Sequence, residues 1–202
     1  MRTIRASSLS LFAAERLPAN PLGMKISRLA PGASLGAYLI ALAVIVLDQL
    51  TKAWVLSAIG AEHITHIPDG FRIAEVAPPV FNLTYVLNTG VSFGLFGGGA
   101  GRWILSVFSV VVAGLLAWWA TRADRRLLVA AIGLVMGGAI GNVIDRIRFG
   151  GVVDFLDFSG TGLFPWIFNI ADSGITVGVV LLILDSFLSE RRSTVGAAHE
   201  KS

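Results

Sequence analysis

Four long apolar stretches, separated by short polar clusters, organise the chain. No charged residue occurs in 29–47, 103–121 or 127–144, and a fourth apolar run covers 173–184. A membrane-spanning helix needs about 20 mostly apolar residues. The pattern therefore predicts four transmembrane helices, near 35–56, 102–121, 127–147 and 168–189.

Small residues recur at helical spacing in the third of these segments. Gly133, Gly137 and Gly141 are four residues apart, and Gly138 lies beside them. Small residues at this spacing let two helices approach each other closely in lipid. We therefore expect the third helix to pack tightly against its neighbours.

The composition supports a membrane protein and weakens the alternative, a soluble bundle of buried helices. Of the 202 residues, 54% are hydrophobic and only 14% are charged, and the mean hydropathy is +0.75. Soluble domains are about 45–50% apolar and about 25% charged. The length allows a single domain. Because the chain has no cysteine, disulfides, thiolate metal sites and a cysteine nucleophile are excluded.

The basic residues indicate how the helices are oriented. Eleven of the 16 Lys and Arg residues precede the first helix, lie in 122–126 or follow the fourth helix. Cytoplasmic segments of membrane proteins carry an excess of Lys and Arg. We therefore expect both termini in the cytoplasm. Since the basic residues form no single patch, no nucleic-acid partner is expected.

The same pattern divides the chain into three parts. We expect residues 1–33 to form a disordered cytoplasmic extension, 34–190 to form the four-helix membrane domain and 191–202 to form a cytoplasmic tail. Residues 1–23 lack the long apolar core of a secretory signal peptide. We interpret them either as an extension or as the result of a misassigned start before Met24.

Two segments fall on the outer side of the membrane in this topology. The first, 57–101, contains a Pro-Asp-Gly turn signal at 68–70 and an alternating apolar pattern over 81–88, which predicts a strand. The second, 148–167, is rich in Phe, Trp and Gly and is interpreted as a loop. The predicted fold class is an all-α membrane protein with a small outer β-rich lobe and an outer loop between helices three and four.

Polar residues converge on one level of this topology, the outer ends of the helices. Polar groups inside or at the rim of a membrane are costly and often functional. Their convergence at one depth predicts a site. Its candidate residues are Asp48, Lys52, Asn88, Asn142, Asp145, Arg146, Asp154, Asn169 and Asp172.

Some of these residues have an obvious structural interpretation. Asp48 and Lys52 are four residues apart on a helix, with the acid first, which is the favourable order for an ion pair. Asp145 and Arg146 could neutralise each other in the same way. We favour the structural interpretation for Asp48 and Lys52. For Arg146, binding of a substrate carbonyl is an equally good interpretation.

Asp154 and Asp172 differ because neither has a basic residue at helical spacing. Two carboxylates brought together in a poorly solvated site share one proton, and one pKa rises. Such a pair can activate water, as it does in aspartic proteases. The alternatives are that Asp172 caps a helix or that the two line an ion path, and the spacing alone does not decide.

A metal site is not expected. Zinc proteases of the membrane need His-Glu-x-x-His on a helix, whereas here Glu62 lies outside the pair formed by His63 and His66. The one other histidine, His199, lies near the C-terminus. We therefore predict no metal and no cofactor.

Five short motifs, in order, resemble the bacterial lipoprotein signal peptidase (signal peptidase II) family. Together they cover roughly residues 35–190, and in combination they are highly specific. The main departure from the family is the long N-terminal extension. The motifs are DQLTK at 48–52, NTGVSF at 88–93, GGAIGNVIDR at 137–146, VVDF at 152–155 and FNIAD at 168–172.

The resemblance implies an aspartyl endopeptidase of the inner membrane. It would remove signal peptides from prolipoproteins by cutting before a cysteine that carries diacylglycerol, with its active site at the outer face. Its expected partners are these substrates and membrane lipids, and we expect a monomer. No cofactor is implied.

The resemblance also assigns roles to residues. Asp154 and Asp172 match the catalytic pair that activates water, and Asp157 is a local rival for the first position. Asn88, Asn142 and Arg146 are expected to hold the substrate backbone or to order the site. The expected supporting residues are Asp48, Lys52, Asp145 and Asn169.

The alternative function is a small ion- or proton-coupled transporter or channel subunit. Its polar path should run through the bilayer, whereas the polar residues here stop at one face. Within the predicted helices, the only acidic residue near the cytoplasmic end is Asp185.

Overall fold

The protein is described from a computed structural model that covers residues 31–60, 68–90, 100–162 and 164–199, with side chains between 34 and 190. The predictions for 1–30, for His63 and His66 and for the end of the C-terminal segment lie outside these residues. In chain order, the elements are α1 (Pro31–Ala58), β1 (Phe71–Ala77), β2 (Phe81–Asn88), α2 (Ala100–Ala120), α3 (Arg126–Phe149), β3 (Val152–Asp157), a 3-10 turn (Ser159–Thr161), β4 (Ile167–Phe168) and α4 (Ile170–His199).

The four predicted apolar helices are confirmed. Each contains a stretch long and apolar enough to cross a membrane, with mean hydropathy of 1.9, 2.0, 2.2 and 1.8 in chain order. Their ends differ from the predicted ones, since α1 begins at Pro31 and α4 continues to His199. Large apolar side chains such as Leu47, Phe108 and Phe187 are more than half exposed, as expected for surfaces that face lipid.

Helix α3 is the centre of the bundle and packs against each of the other three helices. Its glycines make these contacts close. A Cβ on Gly133 would lie 2.7 Å from the carbonyl oxygen of Ala37, and one on Gly137 would lie 2.6 Å from that of Ala41. One residue further on, Gly138 faces α4. The predicted role of the small residues is therefore confirmed.

The strands form one antiparallel sheet in the order β1-β2-β3-β4. The strand predicted at 81–88 and the turn at 68–70 are confirmed, with Gly70 at φ 83°. The loop expected between the third and fourth helices is wrong in part, because this segment contributes β3 and β4. Strand β3 has no alternating signal, since all but one of its residues are buried and two of the buried residues are Asp154 and Asp157.

The connections at one end of the bundle bring the sheet and the helices together. Helix α3 ends at Phe149 and is capped by Gly150, whose φ of 81° allows the chain to turn directly into β3. Strand β4 is followed at once by α4. Strand β2 pairs with β3 so that Val86 lies opposite Asp154. The ends of α1 and α3, the start of α4 and the middle of the sheet therefore meet at one place, which we call the sheet end of the bundle.

Candidate functional site

The sheet end of the bundle gathers all nine residues predicted from the sequence. Eight of them are joined in one network of hydrogen bonds and ion pairs, and the ninth, Arg146, lines a cavity with two of them. The eight linked residues are Asp48, Lys52, Asn88, Asn142, Asp145, Asp154, Asn169 and Asp172.

Asp154 is buried on β3 and is held by two asparagines. Asn169 donates from Nδ2 to Oδ1 of Asp154 at 2.6 Å, and Asn88 donates from Nδ2 to Oδ2 at 3.0 Å. Burial and the nearby charge of Asp172 raise the pKa of Asp154 to about 7, against the opposing effect of the two asparagine hydrogen bonds. A carboxyl group with this pKa can carry a proton near neutral pH.

Asp172 lies in the first turn of α4 and is held by two other contacts. Nδ2 of Asn142 donates to Oδ1 of Asp172 at 2.7 Å, and the backbone N–H of Asp172 donates to Oδ1 of Asn169 at 2.8 Å. The second contact makes Asn169 the N-cap of α4. Asp172 is therefore not the cap, and its carboxylate is not used to satisfy the start of the helix.

The two asparagines that hold these carboxylates also contact each other. Nδ2 of Asn169 lies 3.3 Å from Oδ1 of Asn142. A continuous path of hydrogen bonds therefore runs from Asp154 through Asn169 and Asn142 to Asp172. Because each asparagine supplies both a donor and an acceptor, neither could be replaced by aspartate without losing a contact.

Lys52 is the centre of the supporting part of the network. Its side chain is buried, and Nζ lies 2.8 Å from Oδ2 of Asp48 and 2.7 Å from Oδ2 of Asp145. The expected Asp48–Lys52 pair is confirmed. The suggested pairing of Asp145 with Arg146 is wrong, since Asp145 faces α1 and pairs with Lys52. The guanidinium of Arg146 makes no hydrogen bond or ion pair with the residues that the structure describes.

The two carboxylates beside Lys52 also hold backbone. Oδ1 of Asp48 accepts a hydrogen bond from the N–H of Ala171 at 3.0 Å, and Oδ2 of Asp145 accepts one from the N–H of Val153 at 3.0 Å. Ala171 directly precedes Asp172, and Val153 directly precedes Asp154. The supporting residues thus fix the backbone next to each of the two central carboxylates.

Gln49 belongs to this network and was not among the predicted site residues. Its Nε2 donates to Oδ1 of Asp145 at 2.9 Å, and its Oε1 accepts from Nη1 of Arg148 at 3.2 Å. The available signal was its place beside Asp48 in the first motif. A neutral residue beside an expected ion pair has no charge pattern that marks it as part of a site, so the sequence does not predict a role for Gln49.

Asp157 lies apart from the network. It accepts a hydrogen bond from Thr84 at 2.6 Å and pairs with Arg72 at 3.1 Å. Burial acts to raise the pKa of Asp157, but hydrogen bonds from Ser159 and Thr84 outweigh it, and the pKa lies below its usual value. This carboxylate therefore stays ionised and fully engaged, unlike Asp154.

Two cavities open beside the central carboxylates. One, of about 330 Å³, lies on the sheet side and is lined by Asn88, Asp154 and Trp166 among others. The other, of about 260 Å³, lies among α2, α3 and α4, and Asp172 and Arg146 line it together with apolar side chains. Each of the two central carboxylates therefore borders a cavity.

Comparison with known proteins decides the family. A family model described as signal peptidase (SPase) II matches residues 40–188. The chain belongs to the signal peptidase II family. The five motifs predicted this membership, and the match includes the whole network described above. Family membership and the four apolar helices together identify a multi-pass protein of the inner membrane.

Individual members of the signal peptidase II family are similar over most of their length. The lipoprotein signal peptidase of Caulobacter vibrioides is 51% identical over 76% of this chain and 88% of its own. That of Beijerinckia indica is 43% identical over 72% and 84%. A solved structure described as a bacterial membrane enzyme, obtained by the in meso method at 1.9 Å resolution, has a TM-score of 0.62 and 32% identity, and covers 79% of this chain and 95% of its own.

Proposed function

We propose that the protein is an aspartyl endopeptidase that removes signal peptides from diacylglyceryl-modified prolipoproteins, cutting before the lipidated cysteine. Membership of the signal peptidase II family supports the peptidase and its lipoprotein substrates. The observation that carries the aspartyl mechanism is the path of hydrogen bonds from Asp154 through Asn169 and Asn142 to Asp172. It holds two carboxylates at one site, each beside a cavity.

In the proposed reaction, Asp154 and Asp172 share one proton, and a water molecule lies between them. The ionised carboxylate takes a proton from this water as a general base, and the water oxygen attacks the scissile carbonyl carbon. The protonated carboxyl group donates its proton to the carbonyl oxygen. The tetrahedral intermediate then collapses: the C–N bond breaks, the leaving amine takes the proton that the general base received from water, and one hydroxyl proton of the intermediate returns to the other carboxylate. The elevated pKa of Asp154 suits it to the protonated role.

Arg146 is proposed to hold the substrate. It lines the same cavity as Asp172 and Asn142, and its guanidinium is not engaged by the residues that the structure describes. A guanidinium carries five N–H donors, so it can bind backbone carbonyls of an extended peptide. Asn88 and Asn142 order the carboxylates, and Asp48, Lys52, Asp145 and Asn169 support them.

The proposed topology places the site at the outer face of the membrane with both termini in the cytoplasm. The opposite end of the bundle carries Arg122 and Arg125 between α2 and α3 and Arg126 at the start of α3, which agrees with the positive-inside rule. We further propose that 34–190 is the peptidase domain, that 1–33 and 191–202 are cytoplasmic appendages, and that the protein acts as a monomer.

A transporter or channel is not favoured. At the end of the bundle opposite the site, Asp185 is buried and pairs with Arg125 at 2.8 Å. Within the described residues, the hydrogen-bonded network stays at the sheet end. An ion path would need polar groups along the bundle between these two ends.

The test is cleavage of a purified diacylglyceryl-prolipoprotein, followed by gel shift, with Asp154→Asn, Asp172→Asn and Asp157→Asn. Asp157→Asn is the matched control, because it lies on the same strand as Asp154 but outside the network. We expect wild type and Asp157→Asn to cleave and the other two to lose nearly all activity while remaining folded. Normal cleavage by Asp154→Asn or Asp172→Asn would reject the dyad, and no cleavage by wild type would reject the substrate.

A further inference from the structure

Arg102, in the first turn of α2, has a buried donor that finds no partner among the described residues. Nε of its guanidinium is inaccessible to solvent and makes no hydrogen bond with the residues that the structure describes. Buried polar atoms are paired in the great majority of cases, and one that is not requires an explanation. The guanidinium lies over the ring of Trp103, 5.1 Å from its centroid, so a partly exposed tryptophan covers one of its faces.

The position of Arg102 is fixed by the ends of neighbouring elements. Nη1 of Arg102 lies close to Gly150: a Cβ added to this glycine would be only 3.0 Å from it. Gly150 caps the end of α3, one turn beyond Arg146. The next turn of α2 packs on the other side, because a Cβ on Gly90 would lie 2.7 Å from Leu105. Arg102 thus lies at the sheet end of α2, between the chain that follows Asn88 and the end of α3.

Arg102 also lies above the cavity that contains Asp172. Ser109, which lines this cavity, is seven residues further along α2 and therefore on the same face of the helix, about 10 Å deeper at 1.5 Å per residue. Most of the other lining residues from α2 and its neighbours are apolar, among them Val112, Val135 and Ile175. The cavity is therefore mostly apolar, with Asn142, Arg146 and Asp172 as its other polar lining, and Arg102 lies beyond its end.

This arrangement matches the chemistry of one part of the proposed substrate. A diacylglyceryl group is bound to the cysteine next to the scissile bond, and it combines two apolar chains with two ester carbonyls close to the sulfur. We propose that Arg102 is a specificity-determining residue that donates a hydrogen bond to an ester carbonyl of this group. The inference rests on the proposed function, since it requires a diacylglyceryl substrate at this site.

The test uses two prolipoprotein substrates that differ in one respect. In one the glycerol carries ester-linked chains, and in the other ether-linked chains of the same length, which lack the carbonyl oxygens. Both are assayed in an ether-linked detergent, so that the substrate supplies all the lipid ester groups present. We expect wild type to have a KM about tenfold lower for the ester substrate, the size typical of one hydrogen bond to a charged group, and Arg102→Gln to lose this difference with kcat little changed.

The matched control is Arg122→Gln. Arg122 also lies over a tryptophan, Trp118, at 3.8 Å, but it lies at the opposite end of α2. It should keep the full preference for the ester. Arg102→Lys keeps the charge but loses the planar donor arrangement, so it should show an intermediate preference for the ester. This second variant keeps the test decisive if Arg102→Gln does not fold.

Three outcomes would overturn the inference. An equal ester preference in Arg102→Gln and wild type would show that the guanidinium does not bind the carbonyl. An equal loss on both substrates would show a structural role at the end of α3. A KM that depends on added anionic phospholipid but is the same for the ester and ether substrates would identify a membrane phosphate as the ligand of Arg102. Failure of wild type to cleave the ester substrate at all would instead reject the proposed function.

Discussion

Nζ of Lys52 lies 2.8 Å from Asp48 and 2.7 Å from Asp145, so that one buried cation joins α1 to α3. Through these carboxylates it also reaches the backbone N–H groups of Ala171 and Val153. Lys52 is therefore connected by two short paths to the residues that precede Asp172 and Asp154. Its position explains why a charged side chain is kept inside an apolar bundle.

We expect Lys52→Met to destabilise the protein and to abolish cleavage. The substitution leaves two buried carboxylates without a counter-ion, a change that costs about 3–5 kcal/mol when one partner of a buried pair is removed. Thermal unfolding in detergent and the cleavage assay measure the two effects. The matched control is Arg126→Met, which removes an exposed cation at the other end of α3. Equal melting temperatures for the two variants would contradict the central role of Lys52.

Asn169 combines two functions that substitutions can separate. Its Oδ1 caps α4, and its Nδ2 donates to Asp154. Serine is as good an N-cap as asparagine, whereas alanine loses about 1 kcal/mol. Asn169→Ser should therefore be more stable to heat than Asn169→Ala. Both should lose about 10–100-fold in kcat, since both lack the amide nitrogen that donates to the carboxylate of Asp154.

The measurements are thermal unfolding and steady-state cleavage of the same preparations. Full activity in Asn169→Ser would show that the hydrogen bond to Asp154 is dispensable. Equal melting temperatures for the serine and alanine variants would show that the cap is not needed.

The pH profile of cleavage should reflect Asp154. Its pKa of about 7 means that the group is protonated below this pH and loses its proton above it. If Asp154 is the proton donor, the rate falls as the pH rises through about 7. The measurement is kcat between pH 5 and 9. Asp157→Asn should show the same profile, and a rate that rises above pH 7 would contradict this role for Asp154.

Gly138 sets the distance between α3 and α4. A Cβ at this position would collide with the carbonyl oxygen of Ala171 and would lie 2.7 Å from the side chain of Ile175. We expect Gly138→Ala to cost about 1–3 kcal/mol through overpacking and to reduce cleavage by displacing Asp172.

The matched control is Gly114→Ala on α2, where an added Cβ has no neighbour within 4 Å. In a helix interior, this change from glycine to alanine favours stability by up to about 1 kcal/mol. Melting temperature and cleavage rate are measured for both variants. If Gly138→Ala behaves like Gly114→Ala, the close contact is not required.

The sequence predicts the helices and the identity of the site residues better than it predicts how they are connected. Hydropathy alone locates the four helices, because lipid-facing surfaces must be apolar all along their length. The convergence of Asp154 and Asp172 follows from the topology. The partner of Asp145 does not, because the choice between Arg146 and Lys52 depends on which face of α3 meets α1.

Strand β3 shows a second limit of prediction. Its residues are buried on both sides of the sheet, so the alternation that revealed β2 is missing. As a result, Asp154 was expected on a loop and is found on a strand paired with β2. Nε of Arg102, which has no partner within the described part of the chain, has no sequence signal at all, since its surroundings depend on the positions of Gly150 and Trp103 in space.

The order of the elements along the chain has a consequence for biosynthesis. Asp154 precedes α4 in the chain, so it is synthesised before the helix that carries Asp172. Until α4 docks against Gly138, Asp154 has neither the amide of Asn169 nor a second carboxylate beside it. Under the proposed mechanism, a growing chain with its first three helices in the membrane would therefore be unable to cut a peptide bond, because the pair of carboxylates is complete only once α4 is in place.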